Sequence, residues 1–304
     1  MPTIGTRGST LARAQTKWVV DKILERFPNA RITERIIRTS ADKDTKTSIR
    51  AGSATGVFVK EIEEALLASD VDLAVHSMKD LPTRIPDALV VGAIPAREDA
   101  RDALIAAGSC RRLEDLPPGA VIGTGSIRRQ AQVLALRPDL VVKDIRGNVE
   151  TRFQKLAERD YDAVILACAG LNRLGLQDRI HVRFDYREML PAPGQGALAL
   201  QVRRGDERTA AMIAGLNDSP TATAVLAERA FLRRMGGGCN SPIAVYARSV
   251  NDTCIIEGLV ATPDGKTVIR DSAECSPATA NEAAEALAER LLSIGGAEIL
   301  RSLR

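Results

Sequence analysis

The chain has 304 residues, 45% of them hydrophobic and 27% charged, with a net charge of +3. That is the make-up of a globular protein with room for two or three domains. The small net charge and an aromatic content of 3% weigh against nucleic acid as a partner, because base stacking needs aromatic platforms.

The cysteines, at 110, 168, 239, 254 and 275, are scattered and form no CxxC pair, and His76 and His181 are the only imidazoles. This argues against a disulfide framework and leaves no metal site. The opening "MPTIGTRGST" lacks a basic segment followed by an apolar run, and no apolar run approaches a membrane span. A cytoplasmic setting with no membrane partner is the expectation. Arginines far outnumber lysines, and a guanidinium fork grips carboxylates and phosphates at two points.

In chain order, "TIGTRGSTLARAQTKWVVDKILERFP" reads as strand, Gly-rich turn and helix, with Ser9 or Thr10 as cap and Leu11, Ala14, Trp18 and Ile23 on one face. "RITERIIRTS" reads as a strand and "ADKDTKTSIRAGSATG" as a long polar loop. "VFVKEIEEALLAS" reads as a helix, and "VDLAVHS" as a buried strand running into "MKDLPT". The alternation predicts an α/β layer with parallel strands. After "IPAREDARDALIA" a second α/β unit begins. Its "IGTGSIRRQAQ" echoes the earlier "IGTRGSTLARAQ" and again starts a helix after a Gly-Ser turn. "LVVKDIRGNVETRFQKLAE" predicts strand then helix, and "YDAVILACAGLNRLG" a buried strand and a turn. "MLPAPGQGALALQVRRGD" crosses back, with "ALALQV" a strand of the first unit. The tail reads as a helix closed by Gly236, three alternating strands with an Asp264-Gly265 hairpin turn, and a last helix: a small antiparallel α+β domain.

Helix starts bind anions through unpaired N–H groups. Arg7 stands beside Ser9, Arg128 and Arg129 follow Ser126, and Arg146, Arg152 and Arg173 sit at similar strand ends. Six arginines so placed, at the predicted mouth of one cleft, point to a ligand with several carboxylates or phosphates. "GTRGS" lacks the lysine and spacing of a Walker loop. In "HSMKD", Lys79 could bind a carboxylate, form a Schiff base or share a loop salt bridge with Asp80. Asp80 could stabilise a cation or shuttle a proton. In "MGGGCNSPIAVYA", Cys239 is open to readings as a buried small hydrophobe, half of a disulfide, a metal ligand or a covalent anchor. Arg233 and Arg234 could offset the helix C-terminus that disfavours its thiolate.

Together, "GTRGSTLA", "GVFVKEIEEALL", "DLAVHSMKDLPT", "REDARDA", "IGTGSIRRQAQ", "IRGNVETR", "AGLNRLG", "LPAPGQGA" and "GGGCNSPIA" resemble the porphobilinogen deaminase (hydroxymethylbilane synthase) family over nearly the whole chain. The resemblance implies two α/β domains like type II periplasmic-binding proteins, residues 1–95 with 196–215 and residues 96–195, and a small C-terminal α+β domain, residues 216–304. It implies a dipyrromethane cofactor held as a thioether on Cys239 and a catalytic carboxylate at Asp80. Lys79, Ser9, Thr124, Ser126, Arg128, Arg129, Arg146 and Gln195 would bind the cofactor, and Arg7, Arg152 and Arg173 the substrate. The substrate would be porphobilinogen, joined four times with loss of ammonia to a linear hydroxymethylbilane by a monomeric enzyme. The sequence departs from the family pattern at Thr55, where a lysine is usual, with Arg50 or Lys46 as stand-ins, and at Gly125, where a serine is commoner. Two rival readings remain: a small-anion binding or sensing domain, and a Schiff-base enzyme built on Lys79.

Overall fold

The computed structural model describes residues 2–38, 59–238 and 241–303. Strand β1 (Thr3–Arg7) is buried from Ile4 to Thr6. Ser9 caps α1 (Thr10–Arg26), its Oγ accepting from the Ala12 N–H at 3.3 Å. The buried stripe of α1 is Gln15, Thr16, Val19 and Ile23. Trp18, expected on the buried face, lies one residue off that stripe and is 37% exposed. Next come β2 (Thr33–Ile37), an edge strand, and α2 (Lys60–Leu67), which seats Ile62 and Leu66. The buried β3 (Leu73–Ser77) ends in a single 3-10 turn, Met78–Asp80, and β4 (Leu89–Ala93) follows.

Strand β5 (Asp102–Ala106) is wholly buried, and β6 (Val121–Gly123) leads to α3 (Ile127–Leu136). Ser126 caps α3 by accepting from the Arg129 N–H at 3.4 Å. Then come β7 (Val141–Lys143), α4 (Val149–Ala157) and β8 (Ala163–Ala167). A short helix, α5 (Cys168–Arg173), follows directly where the sequence predicts a turn. The chain continues through β9 (Val182–Arg183), β10 (Leu198–Arg203), α6 (Glu207–Ala214) and α7 (Ser219–Met235). Gly236, at φ +65°, stops α7 in the left-handed conformation that glycine tolerates best. The tail is β11 (Ile243–Val250), β12 (Thr253–Ala261), β13 (Val268–Cys275), α8 (Ala280–Leu291) and α9 (Ala297–Arg301).

The strands form three sheets, in the orders β2-β1-β3-β10-β4, β7-β6-β8-β5-β9 and β11-β12-β13. The first two are mixed rather than parallel as expected: β10 runs antiparallel to β3 and β4, and β5 antiparallel to β8 and β9. Parallel neighbours need a crossover. In each sheet the reversed strand comes from outside the run of strand–helix repeats.

The chain divides into two compact units, residues 1–98 with 197–222 and residues 99–196 with 223–304. In the first, Val19, Ile23 and Ile213 cover one face of the sheet, while Ile62 and Leu66 of α2 cover the other. Burial on both faces is why β3, β5 and β8 read as continuous apolar runs. Each fully buried Leu or Ile contributes about 1.5–3 kcal/mol. In the second unit, helices α7 and α8 bury Phe231 and Leu287 against Val245 and Ile256 of the three-stranded sheet. That sheet also packs Ala244 and Leu259 against Ala131 and Leu190, and Tyr246 stacks on Tyr186 with ring centroids 3.9 Å apart.

Candidate active site

The first unit builds its site at the carboxyl ends of β1 and β3. Arg7 ends β1, Ser9 begins α1, Ser77 ends β3 and Asp80 closes the turn after it. Two hydrogen bonds lock α1 onto these strand ends. Gln15 Nε2 donates to Ser77 Oγ at 2.8 Å, and Thr16 Oγ1 to Thr6 Oγ1 at 2.8 Å. They frame a cavity of about 70 Å³ whose polar lining is Arg7, Ser9, Gln15, His76, Ser77 and Asp80. Asp80 has no ion-pair or hydrogen-bond partner among the described residues. A half-buried carboxylate left open at a cavity is a ready acceptor for a cationic or N–H-bearing ligand. Lys79, beside it, is half-buried.

The second unit repeats the strand–turn–helix device with a different charge pattern. Arg128 and Arg129, in the first turn of α3, are buried at 5% and 6% exposure and converge on Asp102, which is fully buried in β5. Arg128 Nη1 donates to Asp102 Oδ2 at 2.7 Å and Arg129 Nε to Oδ1 at 2.9 Å. Gln195 Nε2 adds a third donor to Asp102 at 2.9 Å and also reaches the Ala100 carbonyl at 2.7 Å. Burial alone would raise the Asp102 carboxyl. The two guanidinium charges outweigh it and hold the group well below the usual carboxylate range. Two cations meet one anion, so the cluster keeps a net positive charge.

Thr124 is buried beneath the α3 start and accepts from the Ser126 N–H at 3.2 Å. Arg146 Nε donates to Asp144 at 3.0 Å. A Cβ at position 125 would lie 2.9 Å from an Asp144 carboxylate oxygen, so glycine there leaves room for that acid. Arg152 Nε donates to the Gly147 carbonyl at 3.0 Å, and Arg152 has no ion pair among the described residues. Burial, followed by the charge of Arg129, pulls its guanidinium down to about 10. Arg173 Nη2 donates to the Gly196 carbonyl at 2.7 Å.

Thus Arg7, Ser9 and Asp80 line one cavity, and Arg128, Arg129 and Gln195 share one buried carboxylate. Cys239 lies outside the described residues, as do Lys46, Arg50 and Thr55. The residues flanking Cys239 and its neighbour are joined: Ser241 N donates to the Gly238 carbonyl at 3.0 Å, and Gly238 N to Ser241 Oγ at 3.2 Å. Arg233 and Arg234, read from sequence as support for a thiolate, instead pair with Glu285 and Glu289 of α8. Asp102, which joins the candidate residues Arg128, Arg129 and Gln195, was not singled out from the sequence. Its signal was an acid opening the otherwise apolar run "DALIA".

Two helix starts fitted for anions, one beside an open carboxylate and one in an arginine cluster, define an anion-handling α/β protein. Comparison with known proteins gives the family. The model described as porphobilinogen deaminase, dipyromethane cofactor binding domain, matches residues 3–211, and that of the porphobilinogen deaminase C-terminal domain matches residues 222–293. Porphobilinogen deaminase of Thermus thermophilus is 48% identical over 302 residues, covering 99% of this chain and 98% of that protein. That of Bacillus velezensis is 50% identical over 273 residues, covering 89% and 87%. Among solved structures, the second substrate binding domain of a putative amino acid ABC transporter from Streptococcus pneumoniae aligns with 14% identity and a TM-score of 0.44, over 78% of this chain and 95% of that one. The chain belongs to the porphobilinogen deaminase family. It is an enzyme, a transferase of the hydroxymethylbilane synthase type, and its cofactor is a dipyrromethane.

The residues present fit such a group. Dipyrromethane formed from porphobilinogen carries acetate and propionate side chains. The cluster of Arg128, Arg129 and Asp102 keeps an excess cation, and Arg152, though near Asp144, forms no ion pair among the described residues. Both can accept carboxylates of a bound ligand.

Proposed function

We propose that this chain joins four porphobilinogen units head to tail, losing one ammonia at each coupling, and releases linear hydroxymethylbilane by hydrolysis. The primer would be a dipyrromethane held as a thioether by Cys239. Once bound, that group supplies a covalent anchor and a nucleophilic pyrrole carbon. The chain's own residues do the rest. Arg128, Arg129 and Arg146 hold the primer's carboxylates, helped by Thr124 and Ser126 at the α3 start, by Ser9 and Lys79, and by Gln195 through Asp102. Arg7, Arg152 and Arg173 hold those of the incoming substrate. Asp80 accepts the pyrrole N–H of the substrate and steadies the positive charge that develops on the ring as ammonia leaves. Its carboxylate can also take up the ring proton lost after coupling.

The observation that carries this reading is the open carboxylate of Asp80 on a cavity it shares with Arg7 and Ser9. We further assign three domains, residues 1–95 with 196–215, residues 96–195 and residues 216–304, working as a monomer in the cytoplasm. No helix among the described residues is long and apolar enough to cross a membrane.

The test is the intact mass of the purified chain beside its Cys239→Ser variant, with peptide mapping. The expected result is an increment of two linked porphobilinogen-derived rings on Cys239, absent from the variant. A wild-type chain that neither gains this mass nor consumes porphobilinogen on incubation would sink the proposal.

A further inference from the structure

The cavity beside Asp80 has one polar wall that the proposed reaction does not use. His76, on β3, is 5% exposed and lines the cavity. Its Nε2 lies 2.9 Å from Gln201 Oε1 on β10. Gln201 is itself fully buried, and its Nε2 donates to Glu63 Oε1 of α2 at 2.8 Å. This chain has a direction. A carboxylate only accepts, so the Gln201 amide must turn its NH₂ toward Glu63 and its oxygen toward the imidazole. The ring must then donate through Nε2–H, which leaves the lone pair on Nδ1. Nδ1 makes no hydrogen bond among the described residues. An acceptor on a largely buried ring, without a partner among the described residues, is open to one from elsewhere, and His76 borders a cavity that can admit it. Burial also disfavours the imidazolium, and the Gln201 hydrogen bond only partly counters this, so the ring is neutral at physiological pH.

We propose that Glu63 and Gln201 hold His76 in its Nε2–H tautomer so that Nδ1 accepts a hydrogen bond from an N–H of the pyrrolic ligand bound beside Asp80. The inference rests on the porphobilinogen reading for the identity of that ligand; the tautomer does not. The two acceptors differ in kind. Asp80 is charged and responds to charge that appears during reaction. The imidazole is neutral and binds an N–H that is present throughout, so it orients the ring without adding charge to the cavity. Glu63 and Gln201 act through His76 and are positioning residues.

The chain has two histidines, so ring nitrogen spectra resolve them readily. In unliganded protein at pH 7, ¹⁵N-detected ring shifts should place the proton of His76 on Nε2, and Glu63→Gln, which frees the Gln201 amide to turn, should let the Nδ1–H form appear. A proton on Nδ1 in the wild type would overturn the proposal whatever the ligand. Kinetics supply the second readout. His76→Leu should raise KM for porphobilinogen about tenfold with kcat changed less, the size expected for one neutral hydrogen bond. His76→Asn, which can place an amide oxygen near the Nδ1 position, should recover most of the loss. Unchanged KM in a folded His76→Leu enzyme, or equal loss in both variants, would refute the role of His76 while leaving the deaminase reading intact. Should His76→Leu not fold, the tautomer in the wild type and in Glu63→Gln still decides. Failure of the wild type itself to consume porphobilinogen would count against the deaminase reading and against the ligand assigned here.

Discussion

The two strand–turn–helix sites are built alike and charged differently. Each places a serine at a helix start, Ser9 on α1 and Ser126 on α3, with an arginine close by in sequence. In the second unit the arginines are buried and turned inward on Asp102, so charge is concentrated and partly neutralised by the protein. In the first unit the buried polar groups at the cavity are neutral: Gln15 bonds Ser77, and His76 bonds Gln201. One acid, Asp80, stays open. A prepaid cationic cluster suits a permanently charged ligand, since its desolvation was met on folding. A surround whose fully buried side chains are neutral, with Arg7 and one available carboxylate at the cavity, suits charge that comes and goes, because it does not bind the ground state too tightly.

The sharpest way to break this contrast is Asp80→Asn. It should reduce turnover by about 10²–10⁴-fold, the usual worth of a positioned acid–base or electrostatic group, with the melting temperature nearly unchanged. Steady-state rates beside thermal melts would show it, and a variant that keeps full turnover would remove Asp80 from the chemistry. Asp102→Asn should do the reverse. Two buried guanidinium groups would lose their counter-charge, at a cost of about 3–5 kcal/mol, read as a lowered denaturant midpoint.

A third experiment uses pH. Burial lowers His76 from 6.5 to about 4, against the opposing Gln201 hydrogen bond. Between those values the unfolded chain binds the proton and the folded chain does not. Stability is therefore complete above about pH 6.5 and falls as pH drops toward 4, by up to about 3 kcal/mol. Glu63 works the other way: burial raises it, so acid favours its folded state. Denaturant unfolding of wild type and His76→Asn at pH 7.5 and pH 5 isolates the histidine, and equal losses in the two would remove it as the source. The smallest effect belongs to Arg152→Gln. Removing a half-buried cation that forms no ion pair among the described residues should leave stability equal or slightly raised, while KM for porphobilinogen rises by about tenfold.

Much of this was legible in the sequence. The paired "IGTRGS" and "IGTGS" segments carried both helix starts, because a cap is a local contact over three residues. Arg7 beside the first of them and the "HSMKD" segment after a buried strand pointed to residues that line one cavity, the candidate site. The Trp18 face was misjudged because several stripes with helical spacing can be drawn through α1, and only its neighbours select the one containing Val19. The reversal of β5 and β10 was also hidden, since strand direction is set by the partner rather than by the strand's own residues.

By itself, the sequence determined the family, the element types and the chemical inventory of the site, because these depend on short-range patterns and on which residues are present. Only the tertiary structure decided how that inventory is partnered. Asp102 meets Arg128 and Arg129 from 26 and 27 residues away, and His76 meets Gln201 from 125. Whether an arginine faces a ligand or a buried acid, and which nitrogen of a histidine carries the proton, follows from contacts that exist only once distant strands pair.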